Sequence, residues 1–371
     1  MTAPGARTVF VEPDTMFSLM ETALRRQLTP DGERALKYFF GPDISAPLAR
    51  LTALADRLGL PPAMEVEVCP EAAALERALP AADFLVTERA PVTRRHIESG
   101  RQLKLIQKFG RDCDNIDLAA AREGGVAVAS LLRRSSLSAA ENVIALLLAL
   151  ARNLVLAHRS VLAVRDPALP PRFASGPPRT KFNWAGVRGI RVLATQSLGL
   201  IGLGEISGEI AKRAAAFGMR ILYSKRHRLP AELEAEFGNA RYLPLEELAA
   251  QADFISIHVP YGPATEKMIG AEFLARMKPT SFLINTARGG IIDEQALYAA
   301  LRAKKIAGAA LDVYRYEPIP PDCPLLDLDN VLWTPHMAGG EPEFMLQEVE
   351  DVLANLARAW QGLPPAGLVT A

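Results

Sequence analysis

Leu198 to Ile201 is an apolar run that passes directly into Gly202-Leu203-Gly204-Glu205-Ile206-Ser207, and the residues from Glu205 to Phe217 read as a helix. Strand, glycine turn and helix in that order describe the first βα unit of a doubly wound sheet. Glycines at 202 and 204 permit the tight turn and a close backbone approach, so a pyrophosphate can sit on the helix N-terminus, where amides and dipole point. Ser207 stands where a third glycine is usual, and Gly208 follows it. A bare glycine pair could be a structural turn; between this strand and this helix it points to a dinucleotide site.

The rest of the chain extends the alternation. Short β-rich runs at Val9–Val11, Glu65–Val68, Phe84–Thr87, Leu103–Gln107 and Val126–Ala129 predict a first α/β domain, with helical decoration between Glu12 and Leu60. Ser138 to His158 is rich in Ala, Leu and Glu and reads as one long helix with Ser138 as its N-cap. Between Asp166 and Lys181, Pro167, Pro170, Pro171, Pro177 and Pro178 deny regular structure and predict an interdomain crossing. Strands are then expected at Ser197–Ile201, Arg220–Tyr223, Phe254–His258, Ser281–Asn285 and Ala309–Val313, and a helix at Glu343–Trp360 that returns to the first domain. The expected fold is α/β: two doubly wound parallel-sheet domains, one from residues 1–137 with 338–371, the other, of Rossmann type, from 138–337.

A chain of 371 residues suits two such cores. Lys plus Arg and Asp plus Glu both number 42, so no global field favours nucleic acid or anionic lipid. Cys69, Cys113 and Cys323 form no CxxC pair, which predicts neither a structural metal nor a disulfide framework and fits a reducing cytoplasm. Pro4, Glu12, Pro13 and Asp14 interrupt any signal-peptide pattern, and the most apolar run, Val143 to Leu150, falls short of the about 20 residues that span a bilayer. No membrane association is expected.

After Tyr223, where a carboxylate would normally take the adenosine ribose, the chain reads Ser224-Lys225-Arg226-His227-Arg228. A hydroxyl and cations suit a 2′-phosphate, so the expected cofactor is NADP ahead of NAD. A solvated basic loop is the alternative.

Three segments downstream carry the chemistry: Asn285 to Leu297 (NTARGGIIDEQAL), Leu311 to Pro318 (LDVYRYEP) and Thr334 to Gly340 (TPHMAGG). With the glycine turn they closely resemble the D-isomer-specific 2-hydroxyacid dehydrogenase family. The likeness extends upstream to Phe109–Asp117, which looks like the family's substrate loop, and to Ala140-Glu141 in the long helix. It implies hydride transfer between NAD(P)H and a small 2-keto or 2-hydroxy acid, as in glyoxylate/hydroxypyruvate reductases. It also implies a flavodoxin-like substrate domain built from both ends of the chain.

That reaction needs a cation for the substrate carboxylate and a proton for the developing alkoxide. Arg288 has the planar fork for the first task. His336 can be acid in reduction and base in oxidation, since imidazole has a reference pKa of about 6.5. Glu317 would pair with the imidazolium and favour the protonated form. The expectation is an acidic-to-neutral optimum for reduction and a more alkaline one for oxidation. Singly, Arg288 could be a surface ion pair, His336 a core histidine and Glu317 a loop carboxylate. Together, in the family's order, they read as a catalytic set. The resemblance further places Thr286, Ala287 and Asp312 against the nicotinamide end and Val259 and Pro260 near the adenosine, with Glu205 and Ile206 in the glycine turn. His96, His158, His227 and His258 read as structural or solvated.

In the substrate loop, Gly110 and Arg111 are the expected substrate contacts. Arg111-Asp112 departs from the family's usual small residue followed by glycine, so Arg111 could add an anion contact for an acidic substrate, or pair with Asp112, or face solvent. A phosphite dehydrogenase-like enzyme and a dinucleotide-sensing, corepressor-like binding protein are the competing readings. A homodimer built around the apolar helix Val143–Leu150 and the helix N-terminal to it follows from the resemblance, with core packing within one subunit as the alternative.

Overall fold

The structure, a computed structural model, describes residues 6–62, 64–163 and 182–369. The chain divides into two compact units: the residues up to Ser136 together with those from Gly340 onward, and Leu137–Gly339. The proline-rich stretch Asp166–Lys181, expected to mark a crossing, lies outside the described residues.

The first unit contains a five-stranded parallel sheet of order β2-β1-β3-β4-β5, from β1 (Arg7–Phe10), β2 (Glu65–Val68), β3 (Phe84–Thr87), β4 (Leu105–Phe109) and β5 (Ala127–Leu131). The stretch from Glu12 to Leu60 forms three helices, Thr15–Arg25, Pro30–Phe40 and Ser45–Arg57. Asp14 caps the first through the Met16 amide, and Thr29 with Pro30 opens the second, so each start is written in local sequence. Their apolar faces join Phe10, Phe84 and Val86 in one core, where Phe10 and Phe17 stack at 5.2 Å. The last helix, Pro342–Trp360, closes the same core with Leu346, Val349, Leu353 and Leu356. Beyond it, Gly367 and Val369 bond antiparallel to Ser130 and Val128, covering the free edge of β5.

The second unit contains a seven-stranded parallel sheet, β12-β11-β10-β9-β6-β7-β8. Its strands are β6 (Ser197–Ile201), β7 (Arg220–Ser224), β8 (Arg241–Tyr242), β9 (Phe254–Ile257), β10 (Phe282–Asn285), β11 (Gly308–Leu311) and β12 (Val331–Trp333). Central strands β6, β9 and β11 are buried at every position, as expected of a sheet covered on both faces. The order reverses between β6 and β9, and ligands in such sheets bind outside the strand carboxyl ends at that reversal.

The long helix departs from expectation. It starts at Arg134, four residues before Ser138, because the Glu348 carboxylate receives both the Ser135 amide (2.7 Å) and hydroxyl (2.9 Å). It stops at Arg152, where Asn153 turns left-handed (φ 52°) and a separate helix, Leu154–Leu162, begins. At 19 residues with mean hydropathy 1.3, Arg134–Arg152 is long and apolar enough to cross a membrane by length and composition, which a reading limited to Val143–Leu150 missed. Its apolar face, Val143, Leu146, Leu147 and Ala151, packs instead into the core of the second unit.

Candidate active site

Every candidate residue of the second unit lies at the carboxyl edge of its sheet. Gly202 (φ 88°) follows β6, and a Cβ there would meet the His258 carbonyl oxygen at 2.6 Å, so only glycine fits. Its amide donates to the Ser224 carbonyl (2.8 Å), which sets the glycine turn beside the loop after β7. At Gly204 a Cβ would meet nothing within 4 Å: the backbone there is an open cradle that a side chain would fill, as close approach by a pyrophosphate requires. Ser207 at the third position accepts the Gly204 N–H through its hydroxyl (2.8 Å), capping helix Glu205–Ala216, in which Ile206 is the second residue. Gly208 instead makes room for the Phe237 ring, 2.7 Å from where its Cβ would lie. These features fit a dinucleotide.

After β7, Arg228 is withdrawn from the basic loop. Its guanidinium grips Glu234 through Nε (2.9 Å) and a second nitrogen (2.8 Å), and Tyr223 Oη donates to the same carboxylate (2.6 Å). Arg228 and Tyr223 hold the Glu234 carboxyl down at about 2. Lys225 and Arg226 form no ion pair among the described residues. Val259 and Pro260 follow β9, where Val259 packs against Gly202. His258 is structural: burial drives its imidazole down to about 3, and its Nε2 lies 2.8 Å from Ser256 Oγ.

Thr286, Ala287 and Arg288 follow β10. The Asn285 side chain holds this turn, accepting the Ala287 N–H (3.0 Å) and donating to the Arg288 carbonyl (3.0 Å). Arg288 is exposed; one guanidinium nitrogen donates to the Ala287 carbonyl (2.6 Å), and no carboxylate pairs with it among the described residues. Gly289 must be glycine, since a Cβ would fall 1.9 Å from the Tyr314 carbonyl carbon.

His336 sits in a left-handed conformation (φ 52°) after β12, held by its own amide on the Asp312 carbonyl (2.8 Å). Its Nδ1 is 2.5 Å from Glu317 Oε2, with the His336 and Glu317 side chains 37% and 34% exposed, so His336 is not a core histidine. Fully buried Asp312 accepts the Thr334 hydroxyl (2.5 Å) and the amides of Met337 (3.0 Å) and Ala338 (2.9 Å). What that carboxylate visibly holds is the loop carrying His336. Tyr314, which sequence reading passed over, donates its amide to Glu317 Oε1 (3.0 Å) and its hydroxyl to the carbonyls of Thr334 and Leu311.

In the first unit, Gly110 is buried with φ 115° and Arg111 is exposed on the loop after β4, while Asp112 accepts the Asp114 amide (3.0 Å). His96 accepts the Thr93 amide (3.3 Å) in a helix-capping role, and His158 and His227 are exposed.

A nicotinamide-type sheet, a glycine cradle and a histidine–carboxylate pair with an exposed arginine define a dinucleotide-dependent oxidoreductase. Residues 144–338 match the family described as D-isomer specific 2-hydroxyacid dehydrogenase, NAD binding domain. The chain belongs to that family and acts on the CH–OH group of 2-hydroxy acids. A glyoxylate reductase of Korarchaeum cryptofilum is 38% identical over 75% of this chain and 80% of its own. A D-3-phosphoglycerate dehydrogenase of Methanocaldococcus jannaschii is 40% identical over 72% of this chain, which spans only 48% of that relative. Among solved structures, a glyoxylate reductase from Paecilomyes thermophila superposes with a TM-score of 0.57 at 27% identity, covering 99% of both chains.

Proposed function

We propose that this chain reduces small 2-keto acids of the glyoxylate and hydroxypyruvate class to D-2-hydroxy acids, with NADPH preferred over NADH. The observation that carries this reading is the 2.5 Å pair of His336 Nδ1 and Glu317 Oε2 at the carboxyl edge of a sheet that also bears the Gly202 turn. Gly202, Gly204, Glu205 and Ile206 would hold the pyrophosphate, Ser224, Lys225 and Arg226 the 2′-phosphate, Val259 and Pro260 the adenosine, and Thr286 and Ala287 the nicotinamide end. When bound, the nicotinamide supplies the hydride.

The protein's own groups do the rest. The Arg288 fork binds the substrate carboxylate and fixes the plane of the keto group. With Nδ1 engaged by Glu317, His336 presents Nε2 to give its proton to the developing alkoxide. Glu317, on Nδ1, orients the ring. The first unit, with Gly110 and Arg111, is assigned to substrate binding. Replacing Glu317 by Gln tests the pair: reduction should fall by about one to two orders of magnitude, and wild-type turnover would end the assignment.

A homodimer is proposed on the helix Leu154–Leu162, which buries none of its residues and leaves Leu154, Leu156, Val161 and Leu162 each at least 48% exposed. The apolar surface lies one helix later than expected, since Val143 and Leu147 are spent on the core. A sedimentation mass of one chain would refute it. The thiols of Cys69, Cys113 and Cys323 are free, which supports a cytoplasmic setting, testable by fractionation.

A further inference from the structure

The first unit carries a pocket of about 440 Å³ at the amino ends of β4 and β5, the sheet edge opposite the one where Gly110 follows β4. That volume lies within the roughly 300–1,000 Å³ of small-molecule sites. Lys104, just before β4, and Gly125 and Val126, just before β5, form one side, with Arg122 from the short helix Leu118–Glu123. The end of helix Pro342–Trp360 and the tail from Gly362 to Leu368 form the other.

The tail is fixed from behind. Asn355, 1% exposed, accepts the Ala366 amide (2.8 Å) and donates to the Ala366 carbonyl (2.9 Å) and to Oε1 of fully buried Gln107 in β4 (2.8 Å). Arg358 Nε donates to the Pro364 carbonyl (2.7 Å), and the Gly367 carbonyl accepts the Ser130 amide (2.9 Å). A segment held at Pro364, Ala366 and Gly367 forms a wall that stands before any ligand arrives, which lowers the cost of binding.

The lining is apolar and cationic. Val126 and Pro365 are buried, whereas Leu363 and Leu368 stand 48% and 41% exposed. No carboxylate is among the lining residues, and the nearest in sequence are committed. Asp83 takes the Lys104 ammonium (2.8 Å) and the Arg7 amide (3.0 Å), and Glu123 takes Arg94 (2.5 Å). Lys104 also lies 4.0 Å over the Trp360 ring, which holds its ammonium at this edge. Arg122 is exposed and forms no ion pair among the described residues. One guanidinium without a counter-ion, a second cation shared with Asp83 and exposed hydrocarbon thus line one preformed pocket. Such a lining favours a ligand that brings both a negative charge and an apolar surface.

We infer that this pocket binds a small organic anion with an apolar body. Its carboxylate or phosphate sits on Arg122 and Lys104, and its hydrocarbon covers Val126, Leu363 and Leu368. The site is separate from the loop Gly110–Arg111 and does not depend on the reductase reading.

Calorimetric titration of the full chain with phenyl phosphate and phenylacetate tests the site, with inorganic phosphate and benzyl alcohol as probes of each half. At least one of the two amphipathic anions should bind saturably and about tenfold more tightly than either half-probe, and the better of the two identifies the head group. Arg122→Gln and Leu363→Ser, both at exposed positions, should each weaken that binding about fivefold or more, with partial recovery in Arg122→Lys and no change in Arg288→Ala. Absence of saturable binding to wild type overturns the inference, and so does equal affinity in Arg122→Gln. Binding that is lost in Arg288→Ala and kept in Arg122→Gln would belong to the proposed substrate site and overturns it equally.

Discussion

The Tyr314 amide donates to Glu317 Oε1 at 3.0 Å, while the same residue's hydroxyl bonds the Thr334 carbonyl, two residues before His336. One residue therefore ties both sides of the proposed acid–base pair. Its ring lies 5.7 Å from Trp333, so removing only the oxygen leaves the packing in place. Tyr314→Phe should lower kcat about threefold to tenfold, with little change in KM, at a stability cost of about 1 kcal/mol. An unaltered kcat in kinetics run beside a thermal melt would show that the hydroxyl positions nothing.

The two glycines of the turn should fail differently. Gly202→Ala forces a side chain into a φ of 88° and against the His258 carbonyl, which should destabilise the fold by more than about 1 kcal/mol. Gly204→Ala has extended backbone (φ −125°) and free space, so it should melt as wild type yet bind dinucleotide poorly. Melting curves and a dinucleotide titration on both variants check this; tight binding by Gly204→Ala would remove the pyrophosphate from that turn.

Cofactor choice should depend on Lys225 and Arg226 and not on Arg228, whose guanidinium is already spent on Glu234. Replacing Lys225 and Arg226 together by neutral residues should weaken NADPH tenfold or more and leave NADH within a fewfold. Equal losses for the two cofactors would mean a merely solvated loop.

Glu234 should mark the acid limb of stability. Its folded pKa, about 2, lies below its ordinary value of 4.5, so the folded chain favours the ionised form. Its contribution is complete above about 4.5 and is lost as pH falls towards about 2. Glu234→Gln should flatten the pH dependence of the melting temperature in that window, whereas a parallel displacement of the whole curve would argue against it.

The parallel strands and the site motifs were legible because each apolar run ends in a residue with a chemical reason to be there, as Ile201 before Gly202 or Asn285 before Arg288. β8 and β12, with two and three residues, give too little periodicity to see. The break at Asn153 was hidden because leucine and alanine continue across it, and only the left-handed backbone of one asparagine divides the helix. Ser207, Asp312 and Tyr314 work through hydrogen bonds to backbone, which composition does not display.

The most direct test of the account follows absorbance at 340 nm with NADPH or NADH and a panel of glyoxylate, hydroxypyruvate, pyruvate, phenylpyruvate, oxaloacetate and 2-ketoglutarate, in wild type and His336→Ala. The account predicts oxidation of NADPH by at least one keto acid, and a loss of about two to four orders of magnitude in His336→Ala with cofactor affinity nearly intact. Cofactor binding without turnover in wild type, or wild-type rates in His336→Ala, would contradict it.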